Sequence, residues 1–89
     1  MLIRSQDKKR IATDLNLEIL HESWDSNEWK IVNNAVGVIG TYSTEEKAIK
    51  VLDMIEKAYC KSFEEQKDNY QGHRYDLVFQ MPQDEEVEA

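Results

Sequence analysis

The chain has little of what catalytic and secreted proteins depend on. Among its 89 residues there is one cysteine, Cys60, and there are two histidines, His21 and His73. A lone cysteine cannot close an internal disulfide, and no pair of ligands sits at the spacing of a zinc site. Cys60 falls inside a predicted helix, where a buried or half-buried thiol is the expectation over a nucleophile. No nucleophile, base and orienting acid can be assembled with any specificity, so the chain is expected to be no enzyme and to need no cofactor. The three glycines fit neither the G-x-x-x-x-G-K pattern nor the longer glycine spacing of a phosphate-binding loop. Long apolar runs are missing as well. That excludes a membrane span and a readable secretory leader, and the expected compartment is the cytoplasm.

Acid is what the chain has in excess, with 18 Asp and Glu against 11 Lys and Arg and a formal net charge of -7. Asp84, Glu85, Glu86 and Glu88 crowd the end after the single proline, Pro82, and supply more than half of that net charge. With Val87 as its only sizeable apolar residue, this stretch has little to bury. The expectation is therefore one α+β domain over residues 1–83 and an acidic disordered tail over 84–89. The mildly acidic body argues against duplex nucleic acid as a partner, because phosphate recognition needs a broad basic face.

Against that background the opening MLIRSQDKKR stands out, with Arg4, Lys8, Lys9 and Arg10 close together. It reads as a hairpin: Leu2 to Ser5 going out, Gln6 to Lys9 turning, Arg10 to Leu15 returning with Ile11, Thr13 and Leu15 on one side. The cations then form either a solvated tip or the site of one small anion. Leu17 to Glu22 alternates as a third strand. WDSNEW comes next, and its four central turn-forming residues bring Trp24 and Trp29 onto neighbouring strands. Cross-strand packing explains the pair, and a stacking clamp for a nucleobase is the sharper alternative. Lys30 to Asn33 continues the strand and Asn34-Ala35 turns it into Val36 to Tyr42, where Gly37 and Gly40 predict a bulge or a close backbone approach.

STEEKAIKVLDMIEKAY carries the best local signal. Ser43 and Glu46 fit a capping box, and Ala48, Val51, Leu52, Ile55, Ala58 and Tyr59 recur at steps of three and four. Ile49 and Met54 fall off the stripe, either widening it or facing a partner. Polar residues and Asn69-Tyr70-Gln71-Gly72 end the helix, and Tyr75 to Gln80 alternates as a last strand. His73, Arg74 and Tyr75, just after that glycine turn, either begin a solvated strand or present an imidazole, a guanidinium and a phenol to an anion. The resulting fold is α+β: an antiparallel sheet of about five or six strands with one long helix packed on one face. A sheet covered on one face with open edges predicts a homodimer or higher homo-oligomer.

The segments IRSQDKK, GTYSTEEKAIKVLDMIEKAY and VFQMPQDEEVE resemble a family of small uncharacterised proteins of Gram-positive bacterial prophages and mobile elements. The resemblance implies an accessory protein, for which countering a host defence is a common occupation. Two binding classes are then open. One is a counter-defence protein that sequesters a small anionic signalling nucleotide, using Arg4, Lys8 and Arg10 or His73, Arg74 and Tyr75, with Trp24 and Trp29 as an aromatic lid. The other is an acidic inhibitor or adaptor that mimics nucleic acid on a basic surface of a host protein.

Overall fold

The computed structural model describes residues 1–21, 23, 25–68 and 78–88. Among these residues six short strands and one long helix run in the order β1 (Leu2–Arg4), β2 (Ile11–Ala12), β3 (Leu17–Leu20), β4 (Trp29–Asn33), β5 (Gly37–Tyr42), α1 (Glu45–Asp68) and β6 (Val78–Gln80), and a 3-10 turn covers Asp84–Glu86. The α+β class and the single helix are as the patterning predicts.

The sheet is divided, however. β3, β4 and β5 form one antiparallel sheet, and β2, β1 and β6 form a second with β1 and β6 parallel. An all-antiparallel single sheet is thus corrected in two respects. β6 arrives after a helical excursion rather than a hairpin, so nothing forces it to run against β1. The chain also leaves the ladder at Ser5, and one backbone bond with the side-chain bonds of Gln6, not strand pairing, joins one sheet to the other.

Gln6 makes that join. Its N–H donates to the Ile39 carbonyl at 2.7 Å, its Oε1 accepts from the Thr41 N–H at 2.9 Å, and its Nε2 donates to the Thr41 and Pro82 carbonyls at 3.2 and 3.1 Å. The bulge predicted from the glycines explains why Ile39 is available. Ile31 faces Gly40 while Val32 faces Val38, so Ile39 is the extra residue that β4 leaves unpaired. The close approach is present too: a Cβ on Gly40 would lie 3.0 Å from both Met81 Cε and the Tyr42 ring.

One core serves both sheets. Ile3 and Ala12 from one, Ile31, Ile39 and Tyr42 from the other, Ala48, Val51 and Ile55 from α1, and Met81 and Val87 from the C-terminal segment are all buried. In the first hairpin Ala12 takes the inward place and Ile11 is 49% exposed, the reverse of the expected facing; β2 ends there and never reaches Leu15. Cys60 is likewise exposed, one step beyond the stripe that ends at Tyr59, which corrects the buried thiol. Helix α1 starts one residue later than the capping box predicts, with Thr44 Oγ1 accepting the Lys47 N–H at 3.1 Å. Among the described residues no helix is long and apolar enough to cross a membrane.

Ser43 is diverted by the C-terminal segment, which is docked and not a disordered tail. Asp84 Oδ1 accepts the Ser43 N–H at 2.7 Å, the Lys47 ammonium donates to the Asp84 carbonyl at 3.1 Å, and Lys50 donates to the Glu88 carbonyl. Val87 is buried at 4% exposure, a contact that contributes roughly 1.5 kcal/mol or more. One apolar residue and a carboxylate at a helix N-terminus are enough to hold the turn. The Tyr42 hydroxyl secures its stem by donating to the Pro82 carbonyl at 2.8 Å, and burial, with Asp84 and Glu86 nearby, pushes that phenol far above its ordinary value.

Gln6→Ala strips the Thr41 N–H of its partner and leaves the Pro82 carbonyl with the Tyr42 hydroxyl alone, and it is expected to cost about 2 kcal/mol in denaturant unfolding, with a folded circular-dichroism spectrum retained. The Asp84 carboxyl is held below its ordinary value, by the Ser43 N–H first and then by Lys47. A depressed folded value stabilises above the ordinary aspartate range and is lost as pH falls through it. The stability gap between the native chain and Asp84→Asn should therefore be full at neutral pH and close below about pH 4.

Candidate functional site

The first hairpin sets its cations on a braced tip. The Ser5 N–H donates to the Arg10 carbonyl at 2.9 Å and the Lys8 N–H to the Ser5 carbonyl at 2.9 Å, closing the turn. Lys8 sits at φ 66°, the left-handed region that a non-glycine residue enters only when its surroundings hold it there. The side chains of Ser5 and Asp7 supply that hold. The Ser5 hydroxyl donates to Asp7 Oδ1 and accepts the Arg10 N–H at 3.0 Å, while the Lys9 N–H also donates to Asp7 Oδ1 at 3.0 Å. These bonds, the Ser5 hydroxyl foremost, lower the Asp7 carboxyl below its ordinary value, and the charges of Lys9 and Arg10 add to the effect. Asp7 is therefore an ionised fixture of the turn.

Two guanidiniums are anchored to backbone carbonyls. Arg4 Nε donates to the Lys8 carbonyl at 3.1 Å, and Arg10 Nη1 donates to the Val36 carbonyl at 2.8 Å in the turn between β4 and β5. Both residues are exposed, as are Lys8 and Lys9. A guanidinium has five N–H donors in a fixed fork, so an anchor through one of them orients the rest without exhausting them. The turn that receives Arg10 is itself fixed by buried Asn33, whose Oδ1 accepts the Ala35 and Val36 N–H groups at 2.9 and 3.0 Å and whose Nδ2 donates to Asp14 Oδ1 at 2.9 Å. Hairpin tip and cation cluster are one object.

The aromatic half of the expected site lies elsewhere. Trp29 begins β4 opposite Tyr42, whereas Arg10 touches the turn at the far end of the same strand, about 13 Å away along the chain. One indole face is already covered: the His21 ring stacks on it with centroids 3.8 Å apart and planes 4° from parallel. His21 Nε2 lies 2.6 Å from the Ser26 carbonyl, which only accepts, so that nitrogen carries the proton. Arg4, Lys8 and Arg10 thus share one hairpin, with Arg4 anchored at Lys8 and Arg10 at Val36, and Trp29 begins β4 at the end away from that anchor. Trp24, His73, Arg74 and Tyr75 lie outside the described residues, as do the turn at 69–72 and residues 75–77 of the expected last strand.

Some of the machinery has no signal in residue type alone. His21 reaches Trp29 because β3 and β4 are neighbours, a fact of pairing that residue type does not announce. Ser5 and Asp7, two apart before a basic pair, do form a readable side-chain turn motif. Among the described residues no group of three or more His, Cys, Asp or Glu could hold a metal ion.

A second charged surface lies on α1. Ile49 and Met54 are 43% and 37% exposed, with Glu46, Lys50, Asp53 and Lys57 around them in a shallow trough, so they widen no buried stripe. The docked turn adds exposed Glu85, Glu86 and Glu88 beside the same helix. No protein-family model, no curated protein and no solved structure matches this chain. Its function is therefore read from fold and site geometry alone.

The bracing role of Arg10 is separable from its charge. Arg10→Ala is expected to lower stability by about 1 kcal/mol through the lost bond to the Val36 carbonyl, whereas Lys8→Ala, removing an exposed amine, should leave thermal unfolding within experimental error of the native chain.

Proposed function

We propose that this chain is a non-enzymatic binding protein whose ligand is a small anion of nucleotide type, held out of solution at the β1–β2 hairpin tip. The observation that supports the reading is the braced cation cluster: Arg4 and Arg10 are each oriented by a backbone carbonyl, beside exposed Lys8 and Lys9. A phosphate recognised there meets guanidinium forks whose rotamer freedom is already reduced, and such preorganisation is what lets a small cluster bind measurably. Asp7 is the carboxylate within the turn, and its Oδ1 is engaged by the Ser5 hydroxyl and the Lys9 N–H. A counter-defence role, as the accessory protein of a mobile element, is the setting in which sequestration of a signalling nucleotide would have an effect.

The docked acidic turn favours a second reading. Carboxylates fixed against a helix, next to exposed Ile49 and Met54, suit a basic protein surface better than a freely moving tail would, since less order is lost on association. In that reading the chain is an inhibitor or adaptor that acts on a host protein.

The two readings separate in one experiment. Native mass spectrometry with a pool of cyclic and NAD-derived nucleotides, followed by titration calorimetry on the retained species, should show binding that weakens with added salt and falls roughly tenfold in the Lys8→Ala, Lys9→Ala variant. Replacement of Glu85 and Glu88 by glutamine should leave that affinity unchanged. Retention of no nucleotide by the native chain, with capture of a basic partner that the glutamine variant loses, would reject the first reading in favour of the second.

A further inference from the structure

β3 is the outer strand of its sheet, with β4 on one side and, among the described residues, no strand on the other. Which of its backbone groups face outward is fixed by one bond. The Asn34 N–H donates to the Asn16 carbonyl at 3.2 Å, just outside the paired residues Leu17 and Asn33. In an antiparallel ladder, a bond between the residues that flank a pair marks that pair as not hydrogen-bonded to each other, and the two kinds of pair alternate. Glu18 and Leu20 therefore exchange their bonds with Val32 and Lys30. The N–H and C=O groups of Leu17 and Ile19 point away from β4.

The remaining sheet edges are shorter or occupied. Gln6 covers β5 at Ile39 and Thr41, β2 has two residues and β6 has three. Edge strands are usually protected by lysine, proline or a bulge, and Leu17–Leu20 contains none of these. An apolar groove runs alongside, lined by Leu15, Leu17, Leu52, Ile55 and Tyr59, with Leu15 and Tyr59 40% and 42% exposed.

We propose that the occupant of this edge is β3 of a second copy of the chain, running antiparallel about a two-fold axis through Ile19. Identical antiparallel strands present identical rows of donors and acceptors, so the pairing is self-complementary. Ile19 exchanges both backbone bonds with Ile19 of the partner subunit, and the two side chains meet at the helix-facing side, extending the groove. Charge disfavours one alternative register, and an axis at Ile19 pairs more of Leu17–Leu20 than one at the strand's end, Leu17, would. An axis through Glu18 would set two carboxylates directly opposite each other, a destabilising pair. With the axis at Ile19, Glu18 of the partner subunit instead lies opposite Leu20, and the two carboxylates are kept apart. The result is a continuous six-stranded antiparallel sheet across the dimer, independent of what the hairpin tip or the acidic turn binds.

The register makes the test sharp. In a hydrogen-bonded antiparallel pair the Cα atoms are about 5.5 Å apart, within disulfide range. With exposed Cys60 replaced by serine, Ile19→Cys should form a covalent dimer under mild oxidation at least tenfold faster than Leu20→Cys, which is two residues out of register. The native chain should be dimeric by light scattering at micromolar concentration. Ile19→Pro should be monomeric with a folded circular-dichroism spectrum, because proline at that position removes an outward N–H and no bond to β4, although it also trims a side chain packed against the core and should lower thermal stability. A monomeric native chain at high-micromolar concentration, or equal cross-linking of the two cysteine variants, would overturn the proposal. Should the proline variant fail to fold, the cysteine comparison decides alone.

Discussion

The two sheets share one apolar core, and at the seam between them a single glutamine takes the place of a strand. Gln6 offers the Thr41 backbone an acceptor and a donor from the same amide, as a neighbouring peptide would, and its own N–H caps the carbonyl that the β5 bulge turns outward. Without the bulge, Ile39 would be paired within its own sheet and Gln6 would have nothing to receive its N–H. Without Gln6, Ile39 and Thr41 would leave a donor and two acceptors unmet beside the core, at a cost comparable to a large share of the net stability of a domain this small. The glycine belongs to the same arrangement: Gly40 lets buried Met81 and the Tyr42 ring approach β5 closely.

This device sets where charge can be placed. An 89-residue chain has few apolar side chains to spare, and burying them in one core leaves the hairpin tip and the C-terminal turn as polar excursions. The structure uses each excursion twice. Asp7 and Ser5 form the turn and thereby fix the cations around it, while Asp84 satisfies a backbone donor ahead of α1 and thereby fixes the acidic residues after it. The basic residues of the first hairpin surround one fixed carboxylate, Asp7, and the acidic C-terminal turn is held by two cations, Lys47 and Lys50.

Local features of the fold are legible in the sequence, and long-range ones are not. The apolar recurrence from Ala48 to Ile55 marks the inward face of α1, the alternation from Leu17 to Leu20 marks β3, and Gly37 and Gly40 mark the irregular strand that is found bulged. Each of these depends on neighbours within a few residues. The division into two sheets depends on Gln6 meeting Thr41 and Pro82, 35 and 76 positions away, and nothing in the residue type announces that. The docking of the acidic end is hidden for a related reason. Composition reports four carboxylates and one valine, but not that Ser43 has an N–H to be capped or that a space for Val87 exists. Of the expected site, the placement of Arg4, Lys8 and Arg10 on one hairpin comes from a short turn, whereas the position of Trp29 at the other end of β4 is a fact of strand register.

Gln6 also connects the two charged surfaces. Its Nε2 donates to the Pro82 carbonyl, its own carbonyl accepts from Gln83 Nε2 at 2.9 Å, and Gln80 Nε2 reaches the neighbouring Ser5 carbonyl at 2.9 Å. The residues that begin the cationic turn therefore also hold the stem of the acidic one. A chain of satisfied, partly buried hydrogen bonds of this kind resists deformation at any single member, because displacing one leaves its partners unmet. Order imposed at the tip by a bound anion would reduce the freedom left at residues 82 and 83, and order imposed on the acidic turn by a protein surface would do the same at Ser5 and Gln6. Coupling of that kind is reciprocal. The cationic turn and the stem of the acidic one are two ends of one hydrogen-bonded segment, and loss of Gln6 would loosen both at once.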